Sequence, residues 1–499
     1  MRVVLVYPDM ADLYPIFKTR TVRKIEPQVP LGLAYLGTAL IRAGHETYII
    51  DNHLEAMSAD ELATKVLGCR PDVLGISMTC SNIQQSLGLA RSVKASYGKI
   101  PIVVGGPHPT LVPEKVQFPE FDYLVMGEGE LSLPVLLEHI DENKVPIPNG
   151  VFYKDAGGNW TYSGPSEPLL DLDALGVPAR GLLNLDGYPK GRKLLDCEPV
   201  HSISSSRGCP YRCSFCSSSL YWKRKHRCRS PVKVVEEIEM LVSEYGAAGI
   251  DFREDNFLVN KRNVLGICDE IIKRGLQIEW ACEARVDNLD GEVLDAMVRA
   301  GCRGVWCGVE SGSQKILDFI KKGYSVEQVK KAFEMLHARG IRTCAGFMIG
   351  FPGETLDDIR QTFDLARRIR PSTMYFQSYV AYPGSELYNY VVNRGMVDKE
   401  WFGTYSVIPD KIPLGWVPVL EEWLGFYAMR KRAPRITPFT IRKFHLRQKL
   451  SAALDRFPNI KMILKKLRDR FFPVKRLAGE VPASGFYDVT ERACGKQNE

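Results

Sequence analysis

Short apolar runs, separated by stretches with helical spacing, occur in two series along the chain. In the first, residues 3–6, 47–51, 73–77, 102–106 and 123–127 read as strands. Residues 31–43 between them carry an apolar helical stripe that Gly44 ends as a C-cap. Strands that are apolar on both faces, joined by helices, predict a parallel sheet covered on both sides. The second series begins with a strand just before Cys209. It continues through 249–252, 278–281, 304–307, 344–349 and 374–377, with an amphipathic helix over 231–245. Six such βα units predict a partial barrel, fewer than the eight of a closed one.

Between the series, Pro146, Pro148 and Gly150 break the pattern. Residues 151–153 and 160–162 flank a turn at 155–159 and predict a hairpin. Residues 169–180 read as a polar spacer punctuated by proline. After about residue 395 the periodicity turns helical. From 430 to 476 only Asp455 and Asp469 oppose many lysines and arginines. Ile460, Ile463, Leu464, Leu467 and Phe471 form an apolar stripe there. Such a helix lies on an anionic membrane surface or packs on its own barrel. The divisions are therefore 1–145, 146–195, 196–395, a helical basic region 396–478, and a disordered tail 479–499.

The chain has 499 residues, enough for two to four domains. It has no apolar run of about eighteen residues, which argues against a spanning helix. The apolar part of its N-terminus is too short for a signal peptide. Thirteen scattered cysteines argue for a reducing cytoplasm rather than a disulfide scaffold. The net charge of +7 is concentrated in the tail, which would bring the protein to the inner membrane face. No RNA-binding module is visible, so nucleic acid is not expected as a partner.

Candidate chemistry lies at strand ends. The first sheet presents Ser77 and Thr79, then Gly105, Gly106, His108 and Thr110, then Gly127, Glu128 and Gly129. Ligands bind at the carboxyl ends of such strands, and glycines let a large planar or phosphorylated ligand approach. No G-x-G-x-x-G follows the first strand, which disfavours a dinucleotide. In the second series, Cys209, Cys213 and Cys216 are spaced C-x3-C-x2-C in a loop bent by Gly208 and Pro210. Three thiolates hold a metal centre with one open position. Zinc, with His226 or Cys228 as fourth ligand, and unliganded thiols are the competing readings. The spacing fits neither usual zinc pairing, which favours iron–sulfur. The other cysteines, including Cys228, Cys268, Cys282, Cys302 and Cys344, read as buried thiols. Cys307, near a strand end, is a candidate for radical chemistry. Lys223, Arg224, Lys225, His226 and Arg227 form a basic run that is either a solvated face or an anion site.

The cysteine loop, with Phe215 before its last cysteine, resembles the signature of the radical S-adenosylmethionine (SAM) enzymes. The resemblance implies a 4Fe–4S cluster on Cys209, Cys213 and Cys216. SAM would chelate the fourth iron and be cleaved to a 5′-deoxyadenosyl radical. It also implies SAM contacts from Glu254 and Asp255, from Glu310 and Ser311, and from Gly350 and Glu354. Glu254 stands where relatives carry an Asp. The first sheet, through residues 31–36 and 105–110, is similar to the Rossmann-like cobalamin-binding domain of the same group. Ser77, Thr79, Gly105, Gly106, His108, Thr110, Gly127, Glu128 and Gly129 would then contact cobalamin. Asp51 and His53 follow the second strand rather than the first, so His53 reads as an incidental histidine and not a cobalt ligand. The implied activity is methyl transfer from SAM through cobalamin to an unactivated carbon of a lipid or secondary metabolite. The alternative is an oxidative cyclase or rearrangement enzyme of the same architecture. A tRNA methylthiotransferase is disfavoured, because the N-terminal region lacks that family's cluster cysteines. The resemblance further implies an electron donor such as flavodoxin or ferredoxin.

Overall fold

The computed structural model describes residues 1–10, 26–142, 145–401 and 404–407. The first sheet contains β1 (Arg2–Tyr7), β2 (Glu46–Asp51), β3 (Val73–Ser77), β4 (Ile102–Gly105), β5 (Tyr123–Val125), β6 (Val151–Lys154) and β7 (Trp160–Tyr162), in the order β2-β1-β3-β4-β5-β6-β7. The pairings among β1 to β5 are parallel. Alternation along β1 explains the two layers of helix. Val4 and Val6 pack on one face with Leu62, Val66, Leu87 and Ala90, from α3 (Ala59–Gly68) and α4 (Ile83–Ser96). Val3 and Leu5 pack on the other with Leu33, Leu40, Leu133 and Leu137, from α1 (Leu31–Arg42) and α6 (Gly129–Glu142). The short helices α2 (Asn52–Glu55) and α5 (Pro107–Leu111) sit at the carboxyl ends of β2 and β4.

The expected hairpin is present as β6 and β7, and it is part of this sheet. Residues 123–125 of β5 pair antiparallel with 151–153 of β6. The stretch read as a spacer is packed rather than loose. Leu172 and Leu175 bury against Tyr35. Arg180, 2% exposed, donates to Ser202 O (2.8 Å) and to Glu237 Oε1 (2.7 Å). A buried guanidinium needs such partners, and they fix the connector to the barrel.

The barrel strands are β8 (Val200–Ile203), β11 (Gly249–Phe252), β12 (Glu279–Ala284), β13 (Cys302–Glu310), β14 (Arg342–Ile349) and β15 (Thr373–Ser378). All neighbours are parallel, in the order β15-β14-β13-β12-β11-β8. Six units form an open barrel, as the periodicity predicts. The ribbon β9 (Ser206–Arg207) and β10 (Arg227–Cys228) stands apart and brackets the cysteine loop and α7 (Ser218–Tyr221). The outer helices are α8 (Pro231–Tyr245), α9 (Lys261–Lys273), α10 (Gly291–Arg299), α11 (Gln314–Phe319), α12 (Val326–His337), α13 (Leu356–Ile369) and α14 (Glu386–Asn393). Helix α8 starts where Ser230 Oγ caps Lys233 N, with Pro231 in the first turn, and stops at the left-handed Gly246.

Beyond α14 the described chain is strand, not the expected helix. Strands β17 (Val397–Trp401) and β18 (Thr404–Val407) join β16 (Val380–Ala381) in a small antiparallel sheet. The basic stretch 430–476 lies outside the described residues. Among the described residues, no helix is long and apolar enough to cross a membrane.

Candidate functional site

The cysteine loop leaves β9 through Gly208, where φ is +92° and a Cβ would overlap Lys225 O. Only glycine lets the chain pass there. Cys216 N donates to Cys213 O (3.2 Å), Ser214 N to Ile320 O (2.9 Å), and Leu387 N to Ser214 O (2.8 Å). The loop is thereby tied to the ends of α11 and α14. Glu254 and Asp255 lie at the exit of β11, where the spacing puts them, but their partners are the serines beside the cysteines. Glu254 accepts from Ser205 N (2.7 Å), Ser205 Oγ (2.6 Å) and Ser206 Oγ. Asp255 accepts from Ser218 Oγ (2.5 Å). Desolvation raises the Glu254 carboxyl above its ordinary range.

The three thiols are free of disulfides and partly exposed. Burial raises the Cys209 thiol and pushes Cys216 up to about 11. They become ligands when a cation takes the place of their protons. Arg285 Nη1 donates to Cys213 Sγ at 3.3 Å, a contact suited to a thiolate. Among the described residues, no three His, Cys, Asp or Glu side chains stand close enough to hold a single ion. A four-iron cluster spreads its ligand sulfurs farther apart than one zinc does. His226 and Cys228, the alternative zinc ligands, instead face each other, with Nδ1 and Sγ 3.7 Å apart. The donor set fits an iron–sulfur cluster.

The remaining strand-end residues frame the mouth of the barrel. Glu310 closes β13 with φ +65° at a register shift, and its Oε1 accepts from Lys322 Nζ (2.7 Å). Ser311 is fully buried and turned toward α13, its Oγ 3.1 Å from Thr362 Oγ1. Gly350 N (2.5 Å) and Phe351 N (3.2 Å) donate to Glu354 Oε2, while Oε1 is buried without a partner. Burial lifts Glu354 to about 7, against the pull of those two amides. Phe351 lies 6.1 Å from Phe215 between ring centroids, which joins this strand exit to the cysteine loop. Cys307 is fully buried in the core between strands and outer helices, and burial pushes its thiol up to about 12. Its strand parity takes it out of the lumen.

Residues of the opposite parity were not anticipated. Asp251, Arg253, Glu283, Trp306 and Tyr375 alternate with neighbours in that outer core. Arg253 Nη1 lies 3.5 Å from Glu283 and 3.8 Å from Asp251. Burial lifts Glu283 to about 7, and Asp251 adds to the rise. Trp306 stacks on Tyr375 at 5.0 Å.

The first sheet's strand ends make one rim. Met78 N donates to Gly105 O (2.7 Å), His108 N to Met78 O (3.2 Å), and Gly127 N to Thr110 Oγ1 (2.9 Å). Ser81 N donates to Thr79 Oγ1 (3.2 Å), and Ser77 ends β3 beside Gly105. Gly106 has φ +111°, and a Cβ there would come 2.7 Å from Met78 O, so it serves the packing of β3 on β4. Gly129 opens α6. His108 is buried, and desolvation lowers it to about 4. His53 is also buried, its Nδ1 2.6 Å from Asp9 Oδ1, and its Nε2 is enclosed by protein.

Direct bonds join this rim to the cysteine loop. Arg207, two residues before Cys209, donates to Glu128 Oε1 (2.7 Å) and Glu130 Oε1 (2.6 Å). Arg227 donates to Glu128 Oε2 (2.6 Å), and Tyr221 OH to Gly127 O (3.1 Å). Both oxygens of Glu128, expected on cobalamin, are therefore used by the barrel. Of the basic run, Arg227 turns inward while Lys223, Arg224 and Lys225 stay exposed.

A B12 binding domain model matches residues 26–137, and a Radical SAM superfamily model matches residues 203–366. The chain is 32% identical over 406 residues to an uncharacterized methyltransferase of Pyrococcus horikoshii, covering 80% of this chain and 85% of that one. It is 29% identical over 401 residues to the anaerobic magnesium-protoporphyrin IX monomethyl ester cyclase of Rubrivivax gelatinosus, covering 77% and 71%. Among solved structures it resembles the radical S-adenosylmethionine methyltransferase TsrM from Kitasatospora setae, with cobalamin and a [4Fe-4S] cluster bound. The TM-score is 0.65 at 22% identity, covering 79% of this chain and 78% of that one.

Proposed function

This chain belongs to the radical SAM superfamily and carries a B12 binding domain, and from that premise we propose that it is a cobalamin-dependent C-methyltransferase. The observation that carries the reading is the bonding of Gly127, Glu128 and Glu130 to Arg207, Arg227 and Tyr221. It sets the cobalamin rim against the loop that carries Cys209, Cys213 and Cys216. When bound, the cluster and SAM supply a carbon-centred radical, and cobalamin carries a methyl group.

The chain's own residues bind, orient and enclose. The three cysteines hold the cluster, and Glu254 and Asp255 brace their loop through Ser205, Ser206 and Ser218. Glu310, Gly350 and Glu354 would hold SAM. The two peptide N–H groups that hold Glu354 keep its unpartnered oxygen aimed from a fixed position. The rim of Ser77, Thr79, Gly105, Thr110 and Gly127 would hold cobalamin. The substrate would meet Arg253 and Glu283, which keep hydrogen-bonding capacity, while Trp306 and Tyr375 pack against Leu194 and Leu195 of the connector. Holding the reacting groups in register and excluding water is the protein's contribution to rate.

A lipid substrate is supported by the basic amphipathic stretch 430–476 in the sequence, which would bring the protein to the membrane face. A flavodoxin or ferredoxin type of donor is supported by the exposed Lys223, Arg224 and Lys225 near the loop. The test is incubation with methyl-labelled SAM, a low-potential reductant and a lipid extract. Methyl transfer puts the label into an extractable product. A product that gains a ring or loses hydrogen without label would replace this reading with the cyclase one, which the relative from Rubrivivax gelatinosus favours.

A further inference from the structure

Arg285 follows β12 by one residue, and its side chain is only 7% exposed. Its guanidinium is held from several sides. Nε and Nη2 donate to the two oxygens of Asp287, each at 3.0 Å. Nη2 also donates to Lys322 O (2.5 Å). The remaining arm, Nη1, donates to Cys213 Sγ at 3.3 Å. The plane lies over the Tyr211 ring, 3.7 Å from its centroid, two residues before that cysteine. Tyr211 is held in turn, because its OH accepts from Asn288 Nδ2 (2.6 Å). Asn288 Oδ1 accepts from Asn256 Nδ2 (2.8 Å) at the exit of β11. A cation so fully braced keeps one N–H aimed at one sulfur.

Resting on the cluster reading above, we propose that Arg285 is a positioning residue that sets the cluster's reduction potential through Cys213. The physical reason is electrostatic. Reduction adds one negative charge to the cluster and its thiolates. A hydrogen bond to a ligand sulfur and a nearby buried positive charge both stabilise that reduced form, and so raise the potential. Asp287 offsets part of the charge but not the N–H···S bond. A clamp that merely held the loop would affect how much cluster is retained and leave the potential of the retained cluster alone.

The experiment is a redox titration of anaerobically reconstituted full-length protein without SAM. External mediators supply the electron, and the paramagnetic resonance signal of the reduced cluster is followed. Arg285→Gln is expected to retain cluster and to shift the midpoint to a more negative value. Arg285→Lys, which keeps the charge but loses the planar fork, is expected to shift it less. If Arg285→Gln does not assemble cluster, Arg285→Lys serves alone, and its midpoint should still be more negative than that of wild type. A midpoint equal to wild type in whichever variant is loaded overturns the proposal. Wild-type protein that assembles no cluster would instead remove the cluster reading on which it rests, and the proposal with it.

Discussion

Arg207→Ala tests the joint between rim and loop. The substitution removes two charge-assisted bonds, to Glu128 (2.7 Å) and Glu130 (2.6 Å), whose side chains are 6% and 9% exposed. Glu128 keeps Arg227, so the carboxylate left alone is that of Glu130. Arg207 also lies over the rings of Tyr35 and Trp222. Breaking a buried pair by truncating one partner costs about 3–5 kcal/mol. The cost falls on the contact between the first sheet and the barrel. Global unfolding of a chain with several folded units is a poor readout for it. Amide hydrogen exchange reads it locally. At about 1.4 kcal/mol per tenfold, protection at residues 127–130 and 206–209 should fall by about 100- to 4000-fold, while the centre of β13 stays protected. Adding Glu130→Ala to Arg207→Ala should restore part of the loss, because no buried charge is then unpaired. A change below about tenfold in the single variant, or no recovery in the double, would refute the idea that these pairs join the two halves.

Glu354 gives a pH dependence with a defined sign. Its carboxyl sits at about 7 in the fold, against 4.5 ordinarily, so the folded state holds the proton more tightly. Stability from this group is present at low pH and lost as pH rises from about 4.5 through about 7. The thermal midpoint of SAM-free wild type, relative to Glu354→Gln, should therefore fall over that range, and a flat difference would place the carboxyl elsewhere. Gly208→Ala should lose iron, because the new methyl overlaps Lys225 O and the left-handed backbone adds strain of about 1–3 kcal/mol. Retention of a wild-type iron content would show that the loop does not need that passage. Replacing Lys223, Arg224 and Lys225 with glutamate should slow cluster reduction by flavodoxin at low salt and leave reduction by dithionite unchanged. Equal rates with flavodoxin would remove the docking role.

Local signals carried most of the fold. Strands such as 3–6 and 73–77 are apolar on both faces because helices cover both, and that pattern is visible in any one of them. The cysteine spacing was equally plain. What stayed hidden depends on distance along the chain. Arg207 meets Glu128 and Glu130 across 79 and 77 residues, and Arg285 meets Cys213 across 72. Nothing local to an arginine says which carboxylate or sulfur it will find. Arg285 did leave one clue, as the first charge after a strand whose exit faces the site. The hairpin could be read from its turn, but its union with β5 is a long-range pairing. The segment 169–180 carries leucines at 169, 170, 172 and 175, the local sign that it packs, but the pairing of Arg180 with Glu237 is a long-range contact that no local pattern shows. Glu128 stands at a strand end, where a ligand and an ion pair leave the same signature in the sequence.

On this reading one chain places an iron–sulfur cluster on Cys209, Cys213 and Cys216 opposite a cobalamin on the first sheet. Metal analysis of anaerobically reconstituted protein, wild type beside Cys213→Ala, tests it most directly. The wild-type chain should hold about four irons and one cobalt, and the variant should lose iron while keeping cobalt. Zinc in place of iron, or wild-type protein that binds no cobalt, would contradict it.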